Sequence, residues 1–294
     1  MGKPLFSRIA FLGIGLINSS LARAVKEHGL AEITVATSRT PATREKAAAL
    51  GIVDLVADDP ASAVAGADLV VIGAPIGAYA ELARSIAPHL REGTIVTDVG
   101  SVKSVVTRCL AEALPPSVHL VPGHPIAGTE NSGPESGFAE LFQGRWTILT
   151  PPAGTDPHST AKVRALWEKV GATVEVMDPA HHDQVLAITS HLPHLIAYTI
   201  VGTATDLEEH LKQEVIKFSA SGFRDFTRIA ASDPVMWRDI FLNNQDAVLD
   251  VLQRFTEDLT ALQRAIRRGE GQTLEDLFTR TRAIRRGVVD AKQA

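Results

Sequence analysis

The chain has 294 residues, 45% hydrophobic and 21% charged, which gives room for two domains with a substantial core and excludes a disordered polypeptide. Its 29 basic and 34 acidic residues, net −5, leave no large basic field, so neither nucleic acid nor an anionic membrane is expected as a partner. The single cysteine, Cys109, fits a reducing cytoplasm, no apolar stretch reads as long as a membrane span, and strand-like sequence begins at Ile9 with no signal-like region before it.

Residues 8–12 read as a short apolar strand running into Gly13-Ile14-Gly15-Leu16-Ile17-Asn18, after which Leu21, Ala22 and Val25 lead with helical spacing to the stop signal Gly29. Strand, glycine turn and helix in that order suit a dinucleotide pyrophosphate. Gly13 permits the tight turn, Gly15 lets backbone approach, and the N–H groups of Leu16 and Ile17 at the helix start receive the charge. The third glycine of this fingerprint falls at Asn18, so the letters are incomplete, but a second strand at 32–37 supplies the βαβ context. A structural turn with no cofactor is the alternative. Roughly 20 residues after the glycines, where an Asp or Glu would hold the ribose hydroxyls of NAD, stand Thr37, Ser38 and Arg39. Ser38 can donate to a 2′-phosphate and Arg39 can pair with it, which leans towards NADP; otherwise Arg39 merely solvates the loop before the Thr40-Pro41 helix start.

The alternation continues with a strand at 68–73 ended by Ala74-Pro75-Ile76, of which Pro75 is a cofactor-binding candidate, and a helix at 77–88 whose amino end faces the cofactor crevice. A strand at 95–99 leads into Gly100-Ser101-Val102-Lys103 and a helix that stops at Pro115-Pro116. A strand at 118–121 then runs into Gly123-His124-Pro125-Ile126-Ala127-Gly128-Thr129-Glu130, too rich in Gly and Pro to continue as strand or helix. A histidine on a loop at a strand's carboxyl end, where open α/β sheets bind ligands, titrates near neutrality and suits a proton acceptor; a hydrogen-bonded structural histidine is the alternative. Ser101 lies at a strand's carboxyl end too, as helix cap, catalytic group or both. Strands at 146–150 and 173–177 with a helix at 160–170 complete seven or eight mostly parallel strands.

At Asp178-Pro179 strand signals stop, which divides the chain into an α/β domain, 1–178, and an all-helical domain, 179–294. The first helix carries Val185, Leu186, Ile188, Leu192, Leu195, Ile196 and Ile200, with a kink or an opened ladder expected at Pro193 and with His191 and His194 nearly on one face. His181, His182 and Asp183 invite a metal reading, but no HExxH spacing and no cysteine support it, and no metal is expected. Residues 218–230 bring Arg224, Asp225 and Arg228 together on a Gly/Ser-led segment, costly to bury unless they hold an anion. Helices at 245–268 and 273–293 flank Gly269-Glu270-Gly271. Leu249, Leu252, Phe255, Leu259, Leu262 and Ile266 give the first an apolar stripe fit for a homodimer, while the terminal arginines read as a solvated face.

The motifs Gly13-x-Gly15-Leu16-Ile17, Asp98-Val99-Gly100-Ser101-Val102-Lys103, Gly123 to Glu130, Thr189-Ser190-His191-Leu192-Pro193-His194 and Phe223 to Ala230 resemble those of the prephenate/arogenate (cyclohexadienyl) dehydrogenase family of tyrosine biosynthesis, over nearly the whole chain. The resemblance implies a Rossmann-type NAD(P)-binding domain, a helical substrate-binding and dimerisation domain, and a cytoplasmic enzyme that oxidatively decarboxylates prephenate or L-arogenate with hydride transfer to NAD(P)+. By the same resemblance His124 takes the ring hydroxyl proton and Ser101 hydrogen-bonds and orients it. His191 and His194 line the pocket, Arg228 binds a carboxylate beside Asp225 with Arg224 the next candidate, and Glu130 with Trp237 closes the site. Asn18 departs from the family's glycine and bears on how closely the helix packs on the pyrophosphate. Two rivals remain: a hydroxyacid dehydrogenase of the same plan, for which Lys212 and Lys217 are available without a matching motif, and a dinucleotide-sensing protein, which would not need His124, Ser101 and Arg228 together. Prephenate against arogenate, and feedback by tyrosine, stay open.

Overall fold

The structure, a computed structural model, describes residues 3–206, 214, 217 and 221–290; Lys212, the opening 218–220 of the arginine segment and the last helix beyond 290 lie outside the described residues. Apolar, β-branched runs buried on both faces give a parallel sheet: β1 (Phe6–Leu12), β2 (Ala31–Thr37), β3 (Leu55–Val56), β4 (Leu69–Ile72), β5 (Ile95–Asp98) and β6 (His119–Leu120). Their order is β3-β2-β1-β4-β5-β6, every neighbouring pair parallel. Strand order reverses between β1 and β4, so a crevice opens at their carboxyl ends, at Gly13 and Gly73. Helices α1 (Leu16–Glu27), α2 (Pro41–Ala49), α3 (Pro60–Val64), α4 (Tyr79–Ile86) and α5 (Ser104–Ala113) make the crossovers. One core packs Phe11, Leu21, Val71 and Trp167, the last from α6 (Pro157–Lys169); the other packs Leu12, Val70, Tyr79 and Leu110.

The expectation of a single run of seven or eight strands is corrected here. After β6 the chain leaves the sheet and forms a second one, β7 (Gly123–Pro125), β8 (Trp146–Leu149) and β9 (Thr173–Val176), with β7 antiparallel to β8. Pro122 and Pro125 lack the N–H a central strand must donate, so this stretch pairs on one side only. His124 therefore sits on a strand, opposite Ile148, where a loop was expected. The two-residue β3 was too short to leave a periodic signal.

Asp178 caps α7 (Pro179–Leu186) by accepting from Ala180 N and His181 N. A single π turn, Ala187–His191, joins it to α8 (Leu192–Thr205), and Pro193 lies in the first turn of α8. The widened turn opens the hydrogen-bond ladder just ahead of Pro193, one of the two outcomes expected of that proline. Pro179–Ala204 is thereby 26 residues long and apolar enough by length and composition to cross a membrane, contrary to the sequence expectation. It nevertheless carries His182, Asp183 and His191, all buried with protein partners. Next come α9 (Ser221–Thr227), a 3-10 turn Arg228–Ala231, and α10 (Pro234–Asn243). The chain forms one compact unit to Asn244 and another from Gln245, the latter holding α11 (Gln245–Arg268) packed on α12 (Gly271–Asp290). Leu249, Leu259 and Ile266 on α11 and Phe278 and Ile284 on α12 are exposed.

Candidate active site

The glycine turn has the shape a dinucleotide needs. Gly13 has φ +86°, and a Cβ there would lie 2.6 Å from the Gly73 carbonyl oxygen, whereas a Cβ on Gly15 would meet nothing within 4 Å. The first position is closed by protein and the second opens on the crevice. No side chain caps α1 and no acidic residue occupies its first turn, which leaves the N–H groups beside Leu16 and Ile17 for an anion. Asn18 is buried, and its Nδ2 donates to Gly13 O at 2.7 Å and Val71 O at 3.3 Å. Its amide fills the space where a side chain on Gly73 would go, so the glycine needed for close packing stands on the facing strand end. The departure at residue 18 thus stitches the turn to β4. At the tip of β2, Ser38 is half-buried and Arg39 exposed, and Arg44 Nη1 donates to Ser38 O at 2.8 Å. Pro75 is exposed beyond β4.

Between β5 and β7 lies a buried clamp. Lys103 Nζ donates to Asp98 Oδ2 at 2.5 Å and to Gly123 O at 2.7 Å, with neither charged side chain exposed. Asp98 also accepts from Gly123 N, Gly100 N and the Tyr79 hydroxyl. Both backbone groups of Gly123 are therefore held by one ion pair, which fixes the residue preceding His124. Burial pushes the Lys103 pKa down, opposed by Asp98, and pushes the Tyr79 hydroxyl well up, reinforced by Asp98. Neither Asp98 nor Lys103 was picked out as a site residue; a lysine five residues after an aspartate at a strand's end was the available signal.

His124 is buried, and its Nδ1 lies 2.8 Å from His182 Nε2. His182 Nδ1 is in turn 2.8 Å from Asp183 Oδ1, and Asp183 accepts from Lys103 N and Ser104 N at the start of α5. His182 takes His124 Nδ1, and no Ser101–His124 hydrogen bond of the kind expected forms among the described residues. Ser101 is half-buried with no hydrogen-bond partner among the described residues. Burial, then the neighbouring His182, Lys103 and His191, holds the His124 pKa well below the usual histidine range, so the ring is neutral. His182 and Asp183 had signalled only a weak metal pattern; among the described residues no cluster of His, Cys, Asp and Glu is placed to hold a metal.

The facing wall comes from the π turn and α10. His191 is buried, with Nδ1 3.1 Å from Asn244 Nδ2, which also donates to Asp183 O at 2.9 Å. Burial, partly opposed by Asp183, brings His191 down to about 4, and its Nε2 has no partner among the described residues. His194, half-buried, stacks on Trp237 at 3.6 Å between centroids, and its Nδ1 lies 2.9 Å from Ser190 O. Trp237 packs with Val102, joining α10 to the turn after β5. Asn244 carried no sequence signal.

Arg228 Nη1 donates to Glu130 Oε2 at 2.9 Å, with the two side chains 58% and 35% exposed. Tyr198 on α8 anchors the same segment through Ser232 O at 2.8 Å. Arg224, Asp225 and Arg228 are all exposed, so none of the three bears the cost that burying a charge would carry. Lys217 is exposed.

The chain is similar to known proteins over nearly its whole length. Residues 21–176 match the prephenate dehydrogenase nucleotide-binding domain and residues 178–280 the prephenate dehydrogenase dimerization domain. A cyclohexadienyl dehydrogenase of Zymomonas mobilis is 43% identical over 282 residues, 96% of each chain. The structure of Aquifex aeolicus prephenate dehydrogenase in complex with hydroxyphenyl propionate and NAD+ superposes with a TM-score of 0.89 at 34% identity, over 96% of this chain and 98% of that one. Synechocystis arogenate dehydrogenase superposes with a TM-score of 0.79 at 29% identity, over 95% and 98%. Two family models in tandem and a relative this similar over both full lengths establish that the chain belongs to the prephenate dehydrogenase family.

Proposed function

We propose that the chain catalyses the oxidative decarboxylation of prephenate or L-arogenate, with His124 as the general base. A nicotinamide dinucleotide, held by Gly13, Gly15, Leu16 and Ile17 beside Pro75, accepts hydride from the ring carbon that bears the hydroxyl. His124 Nε2 takes the hydroxyl proton as the carbonyl forms, the ring carboxylate departs as carbon dioxide, and the ring becomes aromatic. Arg228 binds a substrate carboxylate, with Arg224 and Asp225 on the adjoining turns. His191, His194 and Trp237 line the pocket, Ser101 Oγ binds at the same site, and Glu130 closes its mouth against Arg228. The observation that carries this reading is a neutral, buried histidine fixed on a strand at the carboxyl edge of a dinucleotide-binding sheet. The helical half, 179–294, supplies the substrate wall and a homodimer surface, and the enzyme works in the cytoplasm.

Reduced-cofactor absorbance with prephenate, arogenate and a hydroxyacid panel tests the assignment. His124→Asn should keep cofactor binding and lose roughly 10²–10⁴ in kcat. Because burial holds the pKa down, the acid limb of kcat/KM should fall below the ordinary histidine value of about 6.5. A His124→Asn protein with near-normal kcat removes the base from the mechanism.

NADP is the preferred cofactor on this reading. No carboxylate stands at Thr37-Ser38-Arg39 to repel a 2′-phosphate, and Arg44 braces the turn from behind. An exposed arginine–phosphate contact is worth about 1–2 kcal/mol, so Arg39→Ala should weaken NADP about tenfold and leave NAD alone. A clear NAD preference unchanged by that substitution overturns the assignment.

A further inference from the structure

We propose that His182 and Asp183 are positioning residues that fix the tautomer of His124, with hydrogen on Nδ1 and a free lone pair on Nε2, and that share the proton His124 takes up. The inference rests on the reading of His124 as the base. It deepens that reading by stating why this histidine is the acceptor.

Asp183 anchors the inner end of the chain. Its Oδ1 lies 2.8 Å from Lys103 N and 2.8 Å from His182 Nδ1, and its Oδ2 lies 2.9 Å from Ser104 N. These two amides open α5, so the carboxylate sits at the positive end of a helix with its oxygens fixed. Burial alone would raise the Asp183 pKa, but the bonds from His182 and the two amides outweigh it and hold the group ionised. An ionised carboxylate only accepts, so His182 Nδ1 must donate. Burial keeps His182 neutral despite Asp183, so it carries one ring hydrogen and presents a lone pair at Nε2. That lone pair lies 2.8 Å from His124 Nδ1, which must therefore donate. Neutral His124 then has no hydrogen on Nε2. The opposite tautomer of His182 would set two lone pairs against each other at 2.8 Å inside the protein.

The charges facing His124 are few. Lys103 lies beside the Gly123 carbonyl but is matched by Asp98, His191 is neutral at ordinary pH, and Asp183 is the negative group at the far end of the chain. When Nε2 takes the substrate proton, the ring becomes an imidazolium whose Nδ1 hydrogen can cross to His182 Nε2. His182 then bears the positive charge beside the Asp183 carboxylate. One proton enters at Nε2 and one shifts along the chain, so nothing else need be gained or lost before His124 deprotonates to solvent. Stabilising the imidazolium in this way lowers the barrier to proton transfer without touching substrate.

Full-length protein labelled with ¹⁵N-histidine reads the tautomers directly, with His124 assigned from the resonance missing in His124→Asn. Near neutral pH, both His124 and His182 should carry hydrogen on Nδ1. Asp183→Asn replaces one acceptor oxygen by a donor NH2, which, set against His182 Nδ1, moves hydrogen onto His182 Nε2 and then onto His124 Nε2. The spectrum should report that reversal, with kcat down roughly 10²–10⁴-fold, the KM for prephenate within a few-fold, and the dinucleotide Kd unchanged. His182→Gln, checked for folding by circular dichroism, should shift the acid limb of kcat/KM, which a purely structural loss would not do. Wild-type His124 with hydrogen on Nε2, or a folded Asp183→Asn enzyme with normal kcat, overturns the proposal. The wild-type spectrum needs no variant to fold and no turnover, so failure of the tautomer assignment is distinct from failure of the assigned reaction.

Discussion

Two ion pairs border the loop that follows His124, and they are built on opposite principles. Lys103–Asp98 is wholly buried, and its polar atoms are matched by backbone groups of Gly100 and Gly123 and by Tyr79. Arg228–Glu130 stands in solvent at 2.9 Å, with more than half of the arginine side chain exposed. A buried pair offsets its desolvation only when every remaining donor and acceptor is satisfied, so it has one arrangement and cannot exchange partners. An exposed pair is screened by water and opens at little cost, which leaves its arginine available to another carboxylate. The difference separates a part of the site that must not move from a part that must.

The largest test of that contrast is Lys103→Met. It leaves the Asp98 carboxylate buried without its cation, a change that typically costs about 3–5 kcal/mol, and the thermal midpoint should fall by roughly 10 °C. Adding Asp98→Asn removes the stranded charge and should recover much of the stability. Activity should stay low in the double variant, because the Gly123 carbonyl has lost its donor and His124 its fixed origin. Differential scanning calorimetry and initial rates on both proteins check this; full recovery of kcat in the double variant would show that the pair serves stability alone.

The same contrast explains what the sequence could reveal. Elements governed by local pattern were legible: the glycine turn, the alternating strands and helices, and the long amphipathic helix α11, whose bounds match those read from its apolar spacing and the Gly269 stop. The segments that carry His124 and Arg228 stood out because they are long, recognisable motifs. The clamp and the relay were not, since Lys103 meets Gly123 and His182 meets His124 only across 20 and 58 residues of chain. Sequence places Lys103 at a strand's carboxyl end and gives His182-Asp183 a weak metal pattern, and neither signal says that the fold buries them against their partners. The reversal at β7 was hidden too, because prolines that end a strand on paper also make a good one-sided edge.

On the exposed side, Arg228→Ala should raise the KM for prephenate or arogenate by one to three decades, with kcat affected less, because a bidentate charge-assisted contact is lost from binding. Arg228→Lys should recover only part, since an ammonium is a point charge without the planar fork. Stability should be nearly unchanged in both, in contrast to Lys103→Met. A folded alanine variant with normal KM and kcat/KM would place the substrate carboxylate elsewhere, with Arg224 the next candidate.

The smallest effect expected is that of Glu130→Gln, and its sign is the informative part. Backbone hydrogen bonding, opposed by burial and helped by Arg228, holds the Glu130 carboxyl below its usual pKa, so near neutral pH it is an anion paired with the guanidinium proposed to bind substrate. Neutralising it removes the competitor and a negative charge from the approach of a dianionic substrate. KM should therefore fall by up to a few-fold and depend less on ionic strength, while the thermal midpoint stays where it is, since an exposed pair of this kind contributes little to folding. The effect should vanish in an Arg228→Ala background, because without the arginine there is nothing to compete for. Initial-rate kinetics across a salt series on the four proteins of that cycle measure the coupling. A KM that rises instead, by tenfold or more and independently of Arg228, would mean that Glu130 touches substrate directly and that the exposed pair is as fixed in its role as the buried one.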